Sequence, residues 1–303
     1  MSQKMTTEDL TKKQNPSTQL PNDRDPKKLS REIGLEIGSL FGRHFLKIKH
    51  LHYGYWPDDL EVDITNLYIA QDRYIEFLLS HIPQNVKNVL DVGCGSGQNA
   101  KRLIDAGFNV DCVSPSPVLA QYTRDLIGSR HQVYESYYEK LATDKRYDMI
   151  MFSESFQYMD IEDAIKKTQH LLNKDGFLLI CDIFKNDVEG KCTLSGGHRF
   201  TDFNQILSRH PFELIKEIDI TDKTAPTIDL EHKMFMEVGM PAWDLFDQLM
   251  DSRYPLMAKF LRWKYKKKIG RLRKKYFDGQ RTGANFKKFK SYRLLIYKMT
   301  KIS

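Results

Sequence analysis

Val89-Leu90-Asp91-Val92-Gly93-Cys94-Gly95-Ser96-Gly97 decides how this chain is read. Asn88–Val92 is a short apolar run of strand-forming residues, and it feeds a turn with three glycines in five positions. Such a turn lets backbone approach a ligand closely. The helix expected next, Gln98 to Ala106, would offer its N-terminal N–H groups and positive dipole end to that ligand. GxGxG also occurs in nicotinamide-binding domains, where the helix end holds a pyrophosphate. Three features argue against that here: Asp91 stands two residues before the first glycine, the third glycine of GxGxxG is missing, and no acid follows the strand ending at Val113. A carboxylate at position 91 would repel a pyrophosphate but suits an ammonium group.

Outward from this turn the pattern alternates. Strands are expected at Val110–Val113, Gln132–Tyr134, Tyr147–Phe152 and Phe177–Cys181. Helices are expected at Pro117–Ile127, with proline at the first position, and at Ile161–Asn173, capped by Asp160 and ended by Gly176. Short, continuously apolar strands between helices predict an α/β fold: a mostly parallel seven-stranded sheet covered by helices on both faces. Thr201 is expected to cap a short helix, Phe212–Ile220 to form a strand, and Ser291–Met299 to form the last one. This divides the chain into a polar disordered tail (1–28), a helical cap (29–85), a Rossmann-like ligand-binding domain (86–220 with 291–303) and a helical, basic insertion (221–290) acting as a lid.

The glycine turn resembles the first motif of the class I S-adenosylmethionine-dependent methyltransferases, (V/L)LD(V/I)GCGxG, over roughly residues 50–220 and the final strand. The resemblance implies S-adenosyl-L-methionine as cofactor, with Asp91, Gly93, Cys94, Gly95 and Gly97 around its amino-acid half. Most of that superfamily carries an acid after the second strand. Here Val113-Ser114-Pro115-Ser116-Pro117 stands instead, similar to the tocopherol, sterol and cyclopropane-forming subgroup. Ser114, Pro115 and Ser116 are therefore assigned to the ribose side and Tyr137 to the adenine side. The same resemblance places Ser153 to Tyr158 along the reaction centre. Ser153 then meets the cofactor, Glu154 is the first choice for a base, and Phe156, Gln157 and Tyr158 face the acceptor. His52-Tyr53-Gly54-Tyr55-Trp56 resembles a segment that folds over the cofactor in small-molecule methyltransferases. On that reading Tyr53 and Trp56 touch cofactor and Tyr55 substrate; an aromatic cluster pinning the cap to the core is the alternative. His52 and His198 are further base candidates, and Trp243 is a substrate candidate on the insertion.

The expected activity is methyl transfer to a small, lipophilic, isoprenoid- or lipid-like acceptor. Alternatives are N-methylation of a small amine or, from another class, a non-catalytic cofactor-binding or RNA-associated protein. No Asn/Asp-Pro-Pro-Tyr/Phe motif follows the fourth strand, which disfavours methylation of nucleic-acid bases, and no metal-ligand pattern is present. The net charge of +7 is unevenly placed: residues from Lys259 onward carry +16 and residues 1–258 carry −9. Within the basic stretch, Met257, Leu261, Tyr265, Ile269, Leu272 and Tyr276 fall on one helical face. Membrane-surface contact, RNA binding and a solvated lid are the open readings of the cationic remainder. Four cysteines without a CxxC pair, no apolar signal region and no membrane-length apolar run lead to the expectation of a cytoplasmic protein with reduced thiols and peripheral membrane contact at most.

Overall fold

The computed structural model describes residues 49–190 and 192–300, with the side chains of Lys275 and Tyr276 outside that set. The polar stretch 1–28 and the helix expected over 33–48 therefore lie outside the described residues. Among the described residues are β1 (Asn88–Val92), β2 (Asn109–Ser114), β3 (Val133–Glu135), β4 (Tyr147–Ser153), β5 (Leu172–Lys185), β6 (His198–Arg199), β7 (Phe212–Asp219) and β8 (Lys290–Met299). The sheet order is β3-β2-β1-β4-β5-β8-β7, and the two-residue β6 pairs with the end of β5. Strands β1 to β5 run parallel, while β8 is antiparallel to both β5 and β7. This is the mixed seven-strand architecture with an antiparallel hairpin, plus one short added strand.

The central strands are buried on both faces because successive side chains point to opposite sides of the sheet. Val89, Met149, Met151 and Leu179 join one apolar cluster; Leu90, Ile150, Phe152 and Leu178 join the other. The α-helices among the described residues are α1 (Leu67–Ser80), α2 (Gln98–Asp105), α3 (Pro117–Ile127), α4 (Ile161–Leu171), α5 (Phe200–Leu207), α6 (Thr221–Met234), α7 (Met240–Arg253), α8 (Pro255–Tyr276) and α9 (Gly283–Phe289). A π-helical turn, Phe235–Gly239, joins α6 to α7. Ser116 and Asp160 cap α3 and α4 by accepting from Leu119 N and Asp163 N.

Two local expectations differ from the structure. Helix α4 ends at Leu171 because Leu172 is already extended (φ −76°, ψ 144°). The reversal is made by Asp175 at φ 60° rather than by Gly176, and β5 is accordingly longer than expected. Helix α5 starts at Phe200 with no side-chain cap, so Thr201 is not its cap. The ring of Phe200 packs against Phe184, with the Arg293 guanidinium 4.4 Å from its centroid.

Residues 221–290 form no strand before Lys290 among the described residues. Helix α6 packs inward, burying Thr224, Ala225 and Ile228, and α9 buries Phe286. Helices α7 and α8 form an outlying pair. Arg262 bridges Asp247 and Asp251, and Arg273 reaches Asp244 at 3.5 Å.

Candidate active site

The strand order reverses between β1 and β4, and a cleft of about 600 Å³ opens at the C-terminal ends of those strands. That is where open α/β sheets bind ligands, because the loops diverge there, and the volume suits a nucleoside-sized molecule. The floor is the glycine turn, Gly93 to Ser96. Its walls come from Ser114–Ser116 and Leu119, from Ser136–Glu139, and from Ser153–Ser155 with Tyr158 and Met159. His50, Leu51 and His52 close the remaining side.

The three glycines have different tasks. All have positive φ: 75° at Gly93, 56° at Gly95 and 80° at Gly97. A side chain at Gly93 would collide with Ser155, and one at Gly97 would lie 2.9 Å from Thr123. Packing alone therefore demands those two. At Gly95 the nearest side-chain atom is Leu51 Cδ1 at 3.6 Å, so this glycine keeps its space open toward the cleft.

Several buried acceptors at this end have no partner among the described residues. Asp91 Oδ2 is one, and burial pushes the Asp91 carboxyl up to about 7. Asp91 lies in β1 behind the cleft lining. The His52 ring meets the Tyr53 carbonyl at 2.8 Å through Nδ1, which must therefore donate, leaving Nε2 as a bare acceptor. Burial, and next the neighbouring His50, lower the His52 pKa to about 3, so the ring is neutral. His50 donates through Nε2 to Asp72 at 3.3 Å, leaving its Nδ1 bare as well. Buried acceptors without donors call for a ligand rich in N–H, O–H or positive charge. An α-ammonium with a ribose matches that need, so the residues present fit S-adenosylmethionine.

Glu154 stands at the end of β4 with φ 54°, a conformation costly for a side-chain-bearing residue and typical of functional turns. Its Oε1 accepts from Tyr53 N and from the Tyr292 hydroxyl, each at 2.7 Å. Oε2 has no protein donor among the described residues. Desolvation raises the carboxyl to about 8, against the lowering effect of those two hydrogen bonds. With its one proton on Glu154, Tyr292 accepts from the Tyr74 hydroxyl at 3.0 Å; Tyr74 in turn accepts from Ser153 Oγ at 3.0 Å, and Asn99 Nδ2 donates to that serine oxygen at 3.3 Å. A chain of hydroxyls thus links Glu154 to Ser153 and Asn99 in the cleft wall.

Of the residues singled out in the sequence, Gly93, Cys94, Gly95, Ser114, Pro115, Ser116, Tyr137, Ser153, Glu154, Tyr158 and His52 line the cleft. The others sit elsewhere. Gly97 caps α2 beneath the floor. Trp56 is buried and donates through Nε1 to Thr227 at 3.0 Å, and Tyr55 stacks on Phe77. Tyr53 is turned toward Phe286 and Tyr292 and serves the site through its backbone N–H. Phe156 belongs to the core with Phe152 and Phe203. Gln157 is held by Asp182 and by Gly197 N. His198 donates to the Phe156 carbonyl at 3.1 Å, and Trp243 lies half-buried on α7 outside the cleft lining. Ser155, within the Ser153–Tyr158 segment expected at the reaction centre, lines it as well; sequence reasoning missed His50, Asn99, Leu119, Glu139 and Met159 as lining residues, and Tyr292 as the partner of Glu154. His50 lay within reach, two residues from the aromatic cluster; Tyr292 is separated from Glu154 by 138 residues and leaves no local signal.

A family model described as a methyltransferase domain matches residues 67–242. The ubiquinone biosynthesis O-methyltransferase of Rickettsia felis is 28% identical over 155 residues, covering 48% of this chain and 63% of the relative. The chloroplastic tocopherol O-methyltransferase of Arabidopsis thaliana is 26% identical over 149 residues, covering 43% and 42%. The chain thus spans less than two thirds of the length of these relatives. A solved geranyl diphosphate C-methyltransferase from Streptomyces coelicolor superposes with a TM-score of 0.58 at 17% identity over 88% of this chain and 92% of that one, a likeness of fold.

Proposed function

The chain belongs to the methyltransferase-domain family, whose cofactor is S-adenosylmethionine, and on that premise we propose that it methylates a small, lipophilic acceptor. The observation that carries the reading is the cleft itself: a glycine turn open only at Gly95, backed by the unpartnered carboxylate of Asp91. When bound, the cofactor supplies a methyl group already activated on a sulfonium. The chain's part is to bind, orient and exclude water. Asp91 receives the ammonium end, and the Ser114–Ser116 turn and Tyr137 lie along the nucleoside. Glu154 Oε2 takes the acceptor's proton where the acceptor must lose one; a carboxyl raised to about 8 is a competent base near neutral pH.

Support for a lipophilic acceptor comes from the relatives, which are enzymes of ubiquinone biosynthesis, tocopherol and geranyl diphosphate methylation, and from Leu51, Leu119 and Met159 in the cleft. A second reading, N-methylation of a small amine, is favoured by one observation. No residue of α7, Trp243 and Phe246 included, lines the cleft, so that helix does not roof it with apolar surface. The test is calorimetric titration with S-adenosylmethionine, followed by labelled-methyl incorporation from a metabolite extract. Absence of cofactor binding sinks the enzyme reading; label in water-soluble amines rather than the lipid fraction replaces the first acceptor class with the second.

A further inference from the structure

Helix α8 carries ten Lys and Arg residues and no acid. The face expected to be apolar is only partly covered: Leu261 and Ile269 are half-buried beside the buried Ala258, while Met257, Tyr265 and Leu272 are exposed. The opposite face is where the structure departs from expectation. Leu256, Phe260 and Trp263 stand at the i, i+4 and i+7 positions of the outward stripe and are 85%, 52% and 75% exposed. The stripe continues as Lys267, Gly270 and Lys274, flanked by Lys264 and Arg271, all exposed. Of the 19 large hydrophobic residues exposed among the described residues, nine lie on α7 and α8, so the apolar exposure is concentrated on this helical pair.

We propose that the outward face of α8 docks on an anionic lipid bilayer, with Leu256, Phe260 and Trp263 entering the interface and the lysines and arginines of the C-terminal half meeting the headgroups. Aromatic rings and leucine favour the boundary between headgroups and acyl chains, and long basic side chains reach outward from it. The acids of α7 do not neutralise this face. Asp244, Asp247 and Asp251 pair with Arg273 and Arg262 at the seam between the helices. Among the described residues, Lys264, Lys267, Arg271 and Lys274 pair with no carboxylate. A second copy docked here would oppose two strongly cationic helices. An RNA backbone would use the cations but gain nothing from Leu256, or from Leu245 and Leu249 on α7, 66% and 60% exposed. The proposal stands whichever acceptor is methylated.

The test is flotation of the full chain with vesicles of phosphatidylcholine alone or mixed with phosphatidylglycerol, at low and high salt. Binding is expected with the anionic vesicles and about tenfold weaker with neutral ones or at high salt. A variant combining Leu256→Ser, Phe260→Ser and Trp263→Ser should lose about tenfold in partitioning. One combining Lys267→Glu, Arg271→Glu and Lys274→Glu should lose the preference for anionic lipid. All six residues are exposed, so thermal midpoints should stay at the parent value and separate lost docking from lost folding. The proposal is overturned if the parent chain floats with neither vesicle, or if the apolar variant floats as well as the parent. It is equally overturned if the parent is a dimer that the apolar variant dissolves, or if single-stranded RNA displaces the parent from anionic vesicles and binds the apolar variant undiminished.

Discussion

The Tyr292 hydroxyl donates to Glu154 Oε1 at 2.7 Å, joining the antiparallel strand β8 to the strained turn after β4. The same oxygen accepts the Tyr53 N–H, so two donors hold one side of the carboxylate while the other is left for the cleft. Because this hydrogen bond lowers the carboxyl against a desolvation that raises it to about 8, Tyr292 sets how readily Glu154 ionises. We expect Tyr292→Phe to move the acid limb of the kcat/KM profile up by about one pH unit. Glu154→Gln should lower kcat by about 10²-fold or more with cofactor affinity nearly unchanged. A Tyr292→Phe profile superimposable on the parent's would reduce the tyrosine to packing.

The glycine turn offers a sharper contrast. Gly95→Ala puts a methyl into open space at φ 56°, at a conformational cost of about 1 kcal/mol, and obstructs the ligand. Gly93→Ala combines φ 75° with a collision against Ser155 and should cost about 3 kcal/mol or more. Denaturant unfolding together with S-adenosylmethionine titration separates them: the first should fold and bind poorly, the second should unfold early. Equal effects of both on stability would contradict the division of roles.

The Asp91 carboxyl is raised by burial from 3.8 to about 7, so its contribution to folding is present below pH 3.8 and is lost as pH rises through 7. Thermal midpoints of the ligand-free protein, followed across that window, should fall less steeply for Asp91→Asn. The same variant should bind S-adenosylmethionine about tenfold to a hundredfold more weakly, having lost the charge proposed to meet the ammonium. Parent-like cofactor affinity in Asp91→Asn would remove Asp91 from the site.

Trp56 presents the opposite case. Its indole N–H meets Thr227 Oγ1 at 3.0 Å and its backbone N–H the Lys223 carbonyl at 2.8 Å, so it ties the segment before α1 to α6. Trp56→Phe should cost about 1 kcal/mol of stability and leave cofactor affinity within about twofold. A large loss of affinity with stability intact would return Trp56 to the cofactor.

What the chain's sequence determines unaided is the glycine-turn side of the cleft, the half proposed to hold the cofactor. Asp91, Gly93 and Gly95 are within five residues of one another, and strand, turn and helix follow from local torsional and apolar patterns. Cap residues Ser116 and Asp160 are legible for the same reason, since a cap bonds within three residues of itself. Tertiary structure decides what depends on distant partners. It turns His50 and His52 toward the cleft and Tyr55 and Trp56 away from it, because Phe77 and Thr227 occupy the places where those rings pack. It delivers Tyr292 to Glu154 through a strand pairing, β5 with β8, that no local pattern announces. It also chooses which side of α8 faces α7: helical spacing identifies the stripes, but only the partner helix determines which one is left outside.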